Sequence, residues 1–267
     1  MFEQYFNLTR IPFCRDIPES ELYSTPSIEE LCERLQYAAR NRLFAVITGD
    51  VGTGKTTALR KLVDSLDINR YKVMYISDSA LTPRNFYWEV LNQLGCEAKF
   101  YRGDAKRQLT RELSNLIETQ KRIPVIISDE GHLLSREMLE EVRFLLNFRM
   151  DSYNPMSLIL AGQSELRDIL KKQIYEAICQ RIDIRYHLSP YDRQQTGEYV
   201  KKHLEYAGET RDVFTEKAIG EIYDYSHGVA RKINKVCTAC LMHAAQRQTK
   251  LIDDHVVRLI IEDEFSW

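Results

Sequence analysis

The sequence predicts an α/β domain built on a parallel sheet, followed by a small all-helical domain. Three observations carry this expectation. Short apolar runs alternate with helical segments as far as Leu188, a glycine-rich turn at Gly49–Thr56 joins one such run to a helix, and beyond Ser189-Pro190 only helical periodicity remains.

The first 26 residues are rich in aromatics and prolines (Tyr5, Phe6, Pro12, Phe13, Pro18, Tyr23, Pro26) without clear periodicity, and read as an extended arm packed on something else. Ser27 and Glu30 have capping-box spacing ahead of Ile28, Leu31, Leu35 and Ala38, which recur at helical intervals. Leu43–Thr48 reads as a strand, and a helix runs from about Lys55 to Leu66. Lys72–Ser77 is the second strand, and Thr82-Pro83 supplies the cap and first-turn proline of a helix reaching Leu94. Asp104–Gln120 is helical by period, and Ile123–Ser128 is a strand of buried type. Ser135 caps a helix to Phe148, and Ser157–Ala161 and Ile182–Leu188 complete five strands. Four helices follow, Asp192–Tyr206, Thr215–Ser226, Ala230–Gln246 and Asp253–Ile261. The expected organisation is an arm (1–26), an α/β domain (27–190) and a helical domain (191–267), with no internal repeat.

At roughly 150 residues per domain, 267 residues make one large domain or two small ones. Hydrophobic residues at 44% and charged residues at 28% are the balance of an ordinary globular protein. The charge sum, 37 basic minus 39 acidic, is −2, which excludes a polycation that coats nucleic acid by bulk charge. No apolar run approaches the roughly 18 residues needed to span a bilayer, and Met1–Phe6 lacks the basic and apolar regions of a secretory leader. Six cysteines spread over a chain of this size do not indicate a disulfide scaffold. A reduced, cytoplasmic protein with no membrane partner is expected.

Gly49-Asp50-Val51-Gly52-Thr53-Gly54-Lys55-Thr56 fits G-x-x-x-x-G-K-[ST] throughout. Such a loop curls its backbone amides around a β-phosphate, Lys55 neutralises β/γ charge, and the Thr56 hydroxyl can ligand Mg²⁺. Its place between an apolar strand and a helix adds the positive potential of the helix N-terminus. The third strand ends in Ser128-Asp129-Glu130. There Asp129 would orient the metal and Glu130 would polarise the attacking water, because phosphoryl transfer depends on positioning and charge stabilisation. The two motifs together predict a nucleoside triphosphatase. Asp129-Glu130-Gly131-His132 also fits the D-E-x-H box of helicases, but about 80 helical residues cannot supply the second lobe a helicase needs. His132 is expected to be a structural hydrogen-bonder.

Tyr5-Phe6-Asn7-Leu8, Pro12-Phe13, Leu22-Tyr23, Gly49–Thr57 and Gly228-Val229-Ala230-Arg231-Lys232-Ile233-Asn234 together resemble the ExeA-like branch of the AAA+ ATPases. More distantly they resemble the transposon target-selection ATPases of the TnsC, IstB and MuB group. The resemblance covers nearly the whole chain and implies a five-stranded parallel sheet in the order 5-1-4-3-2 with a small C-terminal helical lid. It implies ATP and Mg²⁺ as cofactors and a ring or helical homo-oligomer. Gln163 matches sensor 1, which holds the lytic water or γ-phosphate; Arg231 matches sensor 2. Arg181 resembles the arginine finger that reaches a neighbour's nucleotide, with Arg185 in reserve. The same resemblance places Tyr23 beside the adenine and Thr57 at the end of the phosphate loop.

Lys99–Arg122 carries seven basic residues against Asp104, Glu112 and Glu118, a local net of +4. A solvated helix face explains such a run as well as a track for the duplex DNA backbone does. Lys99, Arg102, Lys106 and Arg107 are the candidate contacts. Cys237, Cys240 and His243 lie three residues apart in an apolar helical run without a second pair at zinc-finger distance, which favours core packing over metal binding.

The leading expectation is an ATP-driven assembly on duplex DNA that regulates transposition by recruiting a transposase or target selector. ExeA-like secretion assembly is the alternative, although it needs a membrane tether and usually a cell-wall-binding extension. A helicase-loader role shares the same motifs. A nucleotide-gated scaffold that never hydrolyses has no need of Glu130.

Overall fold

The computed structural model describes residues 2–14, 16–77, 81–146 and 154–265. Five parallel strands form one sheet: β1 (Phe44–Gly49), β2 (Tyr71–Ile76), β3 (Ile123–Ser128), β4 (Ser157–Gly162) and β5 (Ile184–Leu188). Their order, β2-β3-β4-β1-β5, is the expected 5-1-4-3-2 read from the opposite edge. The register aligns Thr48 of β1 with Gly162 of β4 and His187 of β5. The interior strands read as continuous apolar runs because both faces are covered: β1 and β4 are buried throughout. The edge strands β2 and β5 instead mix buried positions with exposed ones.

Among the described residues, eight helices belong to the first part of the chain or flank this sheet: α1 (Phe2–Tyr5), α2 (Pro26–Asn41), α3 (Lys55–Ser65), α4 (Pro83–Gln93), α5 (Arg102–Glu118), α6 (Arg136–Leu145), α7 (Ser164–Leu170) and α8 (Glu176–Cys179). Four more follow: α9 (Arg193–Tyr206), α10 (Glu216–Ser226), α11 (Ala230–Gln246) and α12 (Asp254–Phe265). The chain packs into two compact units, one comprising 27–49 and 55–188 and the other 1–26, 50–54 and 189–267.

In the sheet unit, Phe44, Val46, Met74, Ile76 and Ile126 join one apolar cluster with Phe86 and Val90 of α4, Leu109 of α5 and Met138 of α6. The expected caps form: Thr82 Oγ1 accepts from the Asn85 amide at 3.2 Å and Ser135 Oγ from the Met138 amide at 3.2 Å. The Ser27 cap is corrected. Helix α2 begins at Pro26, so Ser27 lies within its first turn; proline suits a helix start because its missing N–H needs no partner there. Helix α5 begins at Arg102, two residues ahead of the expected Asp104. The expected helix end at Phe148 falls outside the described residues.

In the helical unit the opening segment is packed, as expected, but it is not extended throughout. Phe2–Tyr5 is a helical turn, Glu19–Glu21 a 3-10 turn, and Phe2, Phe6, Phe13 and Ile17 are buried. The Thr9 amide donates to the Ala207 carbonyl at 2.8 Å. The Phe13 amide donates to His203 Nδ1 at 3.2 Å, and the two rings stack with centroids 5.2 Å apart. Asp192 and Gln195 form a reciprocal capping box on α9. Gly228 has φ +74°, and a Cβ there would fall 1.7 Å from the Tyr191 carbonyl oxygen, so the turn into α11 requires glycine. Among the described residues, no helix is long and apolar enough to cross a membrane.

Candidate functional site

Within the sheet unit, three strand ends bring the sequence-expected residues together. β1 closes on Gly49, and Lys55, the first residue of α3, is buried with its Nζ donating to the Gly49 carbonyl at 2.8 Å. Thr56 follows, and its hydroxyl donates to Asp129 Oδ2 at 3.2 Å. Thr57 is half-buried in the same turn. Asp129 lies just past β3 and is only 6% exposed. It also accepts from the Tyr75 hydroxyl at 3.0 Å and, through Oδ1, from the Glu130 amide at 2.8 Å. Burial, with the adjoining Asp129 charge, pushes the Tyr75 phenol up to about 12, so it remains a proton donor to that carboxylate. Tyr75 had no signal in the sequence, where it is one aromatic residue on an edge strand.

Glu130 adopts the left-handed region, φ +54° and ψ +31°, uncommon for a residue with a Cβ. Its carboxylate is half-exposed, and His132 Nδ1 lies 3.5 Å from Oε2. The same Nδ1 accepts from the Gln163 amide at 3.3 Å, so His132 links the turn after β3 to the end of β4. Gln163 precedes α7, and its side chain makes no capping bond there. Arg181 is half-buried in the turn after α8, its amide donating to the Ile178 carbonyl at 3.0 Å. Arg185 is exposed on β5 and donates to the Cys179 carbonyl at 2.5 Å.

Within the helical unit lie Asp50, Val51, Gly52, Thr53 and Gly54. The amide and hydroxyl of Thr53 both donate to the Asp50 carbonyl, at 3.3 and 2.9 Å. Gly52 and Gly54 have φ of +83° and +104°. The Gly52 carbonyl accepts from the Arg231 amide at 3.4 Å, and a Cβ on Gly52 would approach Arg231 Cβ to 2.7 Å. Any larger residue would displace the start of α11. Tyr23 donates to Glu198 Oε2 at 2.7 Å and meets Tyr191 and Tyr199 edge-on.

The basic run is less free than its sequence suggests. Arg102 and Lys106 both bond the carboxylate of Glu141, which is 2% exposed, and Arg102 reaches Glu137 at 2.6 Å as well. Tyr87 donates to the same Glu141 carboxylate. Arg107 pairs with Asp104. Lys99 is exposed beside Phe100 and Tyr101, themselves 70% and 71% exposed, with the Arg84 guanidinium 4.3 Å above the Phe100 ring. Cys237 and Cys240 are fully buried in α11, and burial holds the Cys240 thiol up at about 12.

The donor set suits a magnesium nucleotide. Mg²⁺ is held by one or two carboxylates with phosphate oxygens and water, and a hydroxyl bonded to a buried carboxylate provides that pairing. Residues 38–170 match the AAA domain family. That segment is an AAA domain, an ATPase domain. Over the whole chain, 31% of residues are identical to general secretion pathway protein A of Aeromonas hydrophila, of which the chain spans 50%. The Aeropyrum pernix ORC2 protein with ADPNP and ADP superposes with TM-score 0.68 at 17% identity, covering 98% of this chain and 72% of that one. Drosophila ORC bound to DNA gives TM-score 0.67 at 16% identity, covering 97% of this chain and 64% of that one. Those structural likenesses establish a shared fold.

Proposed function

We propose that this chain uses Mg·ATP binding to build an assembly with copies of itself and hydrolysis to dismantle it. The observation that carries the reading is the bond from the Thr56 hydroxyl to the buried Asp129 carboxylate, one turn after the phosphate loop. In this reading Gly49–Thr57 cradles the phosphates, Lys55 turns its ammonium from Gly49 to the β/γ oxygens, and Thr56 and Asp129 hold the magnesium. The metal supplies charge neutralisation at the β- and γ-phosphates. Glu130 accepts a proton from the attacking water, and Gln163 positions that water. Arg181, with Arg185 in reserve, serves a neighbouring copy's nucleotide; Arg231 senses the γ-phosphate and Tyr23 adjoins the adenine. Residues 27–190 then act as the ATPase domain and 191–267 as its lid.

The whole-chain likeness to general secretion pathway protein A favours a role in secretion assembly. Recruitment of a transposase has no such support. Duplex DNA is a second partner reading. The fold shared with an ORC described as bound to DNA favours it, as do the exposed Lys99, Phe100 and Tyr101. The pairing of Arg102 and Lys106 with Glu141, and of Arg107 with Asp104, leaves Lys99 as its main cation among the four candidates.

Sedimentation and turnover of two variants test the main reading. Lys55→Ala loses fluorescent ATP binding and ATP-dependent mass gain, whereas Glu130→Gln binds ATP, retains the assembly and turns over about 100-fold more slowly. Normal hydrolysis by Glu130→Gln, or no binding of Mg·ATP by the unaltered chain, overturns it.

A further inference from the structure

We propose that a cavity on the β1–β5 side of the sheet unit binds a single-chain amphipathic anion, an alkyl or acyl tail carrying a carboxylate or phosphate head. The cavity has a volume of about 640 Å³, within the roughly 300–1,000 Å³ typical of small-molecule sites. Its floor is β1 and the edge strand β5, where Val46 aligns with Arg185 and Thr48 with His187. Its wall is the segment from the end of α7 through α8. Parallel sheets ordinarily have both faces covered, yet Arg185 and His187 of β5 are exposed.

Two features choose the ligand. Val46, Leu170 and Ile182 give the interior an apolar surface, which a hydrocarbon tail would remove from water. At the rim, Arg167 and Lys172 are exposed, and their side chains make no hydrogen bond or ion pair among the described residues. The other rim cations are engaged: Lys171 pairs with Asp168 at 3.0 Å, and Arg185 holds the Cys179 carbonyl. Glu176 is the single carboxylate in the lining and accepts from Gln180 at 3.4 Å. Unpaired cations beside an apolar hollow select a head that is anionic and a body that is not.

Calorimetry of the full chain with dodecyl phosphate and with laurate, each below its micelle concentration, tests the proposal. Dodecyl maltoside, dodecyltrimethylammonium and inorganic phosphate serve as controls. Both anionic amphiphiles should saturate at one per chain, and the three controls should bind at least tenfold more weakly. The Arg167→Glu/Lys172→Glu double variant should weaken dodecyl phosphate at least tenfold, and Ile182→Trp, which fills the hollow, should abolish it. Fluorescent ATP binding should persist in each, which separates failure here from failure of the nucleotide reading. Equal binding by the variants, equal binding of the cationic detergent, or a nucleotide-independent dimer that the double variant dissociates would overturn it.

Discussion

The Tyr75 hydroxyl and the Asp129 carboxylate meet at 3.0 Å, tying edge strand β2 to the residue that follows β3. With Thr56 and the Glu130 amide, this makes three donors on one buried carboxylate. Asp129→Asn keeps the shape and removes the charge. ATP affinity in that variant should lose its dependence on magnesium, so that titrations with Mg²⁺ and with EDTA coincide. Tyr75→Phe should keep the magnesium dependence and weaken affinity only a few-fold.

Arg181 and Arg185 can be told apart by mixing. Arg181→Ala should lower turnover about 10³-fold, the scale of a lost arginine finger, while ATP affinity is retained. Adding the Lys55→Ala chain, inactive alone but with Arg181 intact, should restore part of that turnover. Restoration in an Arg185→Ala mixture instead would give the role to Arg185.

Glu141 is a buried anchor for Tyr87 of α4 and Arg102 and Lys106 of α5. Burial would raise its pKa, but hydrogen bonds from Lys106, Tyr87 and Arg102 outweigh that and hold it below its usual value of 4.5. Its ionised form therefore stabilises the fold above pH 4.5, and that contribution is lost as pH falls through the lowered value. Glu141→Ala leaves the partners without their acceptor and should cost about 3 kcal/mol in urea unfolding at pH 7. A cost below 1 kcal/mol would show that the three donors find other partners.

His203 gives the helical unit an acid sensitivity of its own. Burial lowers its pKa from 6.5 to about 4, so the ring is neutral at pH 7 and its Nδ1 accepts from Phe13. A depressed pKa leaves stability complete above 6.5 and removes it as pH falls towards 4, by up to about 3 kcal/mol. His203→Gln, which keeps an acceptor but does not titrate, should flatten the decline of Tm between pH 6.5 and 4.5. An unchanged slope would assign that decline to other groups.

The phosphate loop, the Asp129-Glu130 pair and the interior strands were legible because their residue types are dictated locally. A G-x-x-x-x-G-K-T turn and a run such as Val125-Ile126-Ile127 have few other uses. That the arm packs was legible, but its helical turns and the surface it packs on were not: its aromatics are spaced by where they insert among α9 and α11, and the sequence has no period for that. Ser27 signals a cap by its spacing to Glu30, whereas the helix opens one residue earlier at Pro26, which reads from sequence as the end of the arm. Glu141 sits on the buried face of α6 in a stretch, Leu139-Glu140-Glu141-Val142, that reads as partly solvated; only its partners from α4 and α5 make burial tolerable. For the same reason a count of +4 around Lys99–Arg122 overstated the available charge, since Glu137 and Glu141 lie outside that window.

The bonds from Thr9 to Ala207 and from Phe13 to His203 join residues 198 and 190 positions apart. During synthesis the opening segment therefore emerges long before its binding surface exists, with Phe2, Phe6 and Phe13 lacking their eventual cover. The helical unit closes only after the ribosome has made α9 and α11, and until then those aromatics are exposed hydrophobic load on the nascent polypeptide.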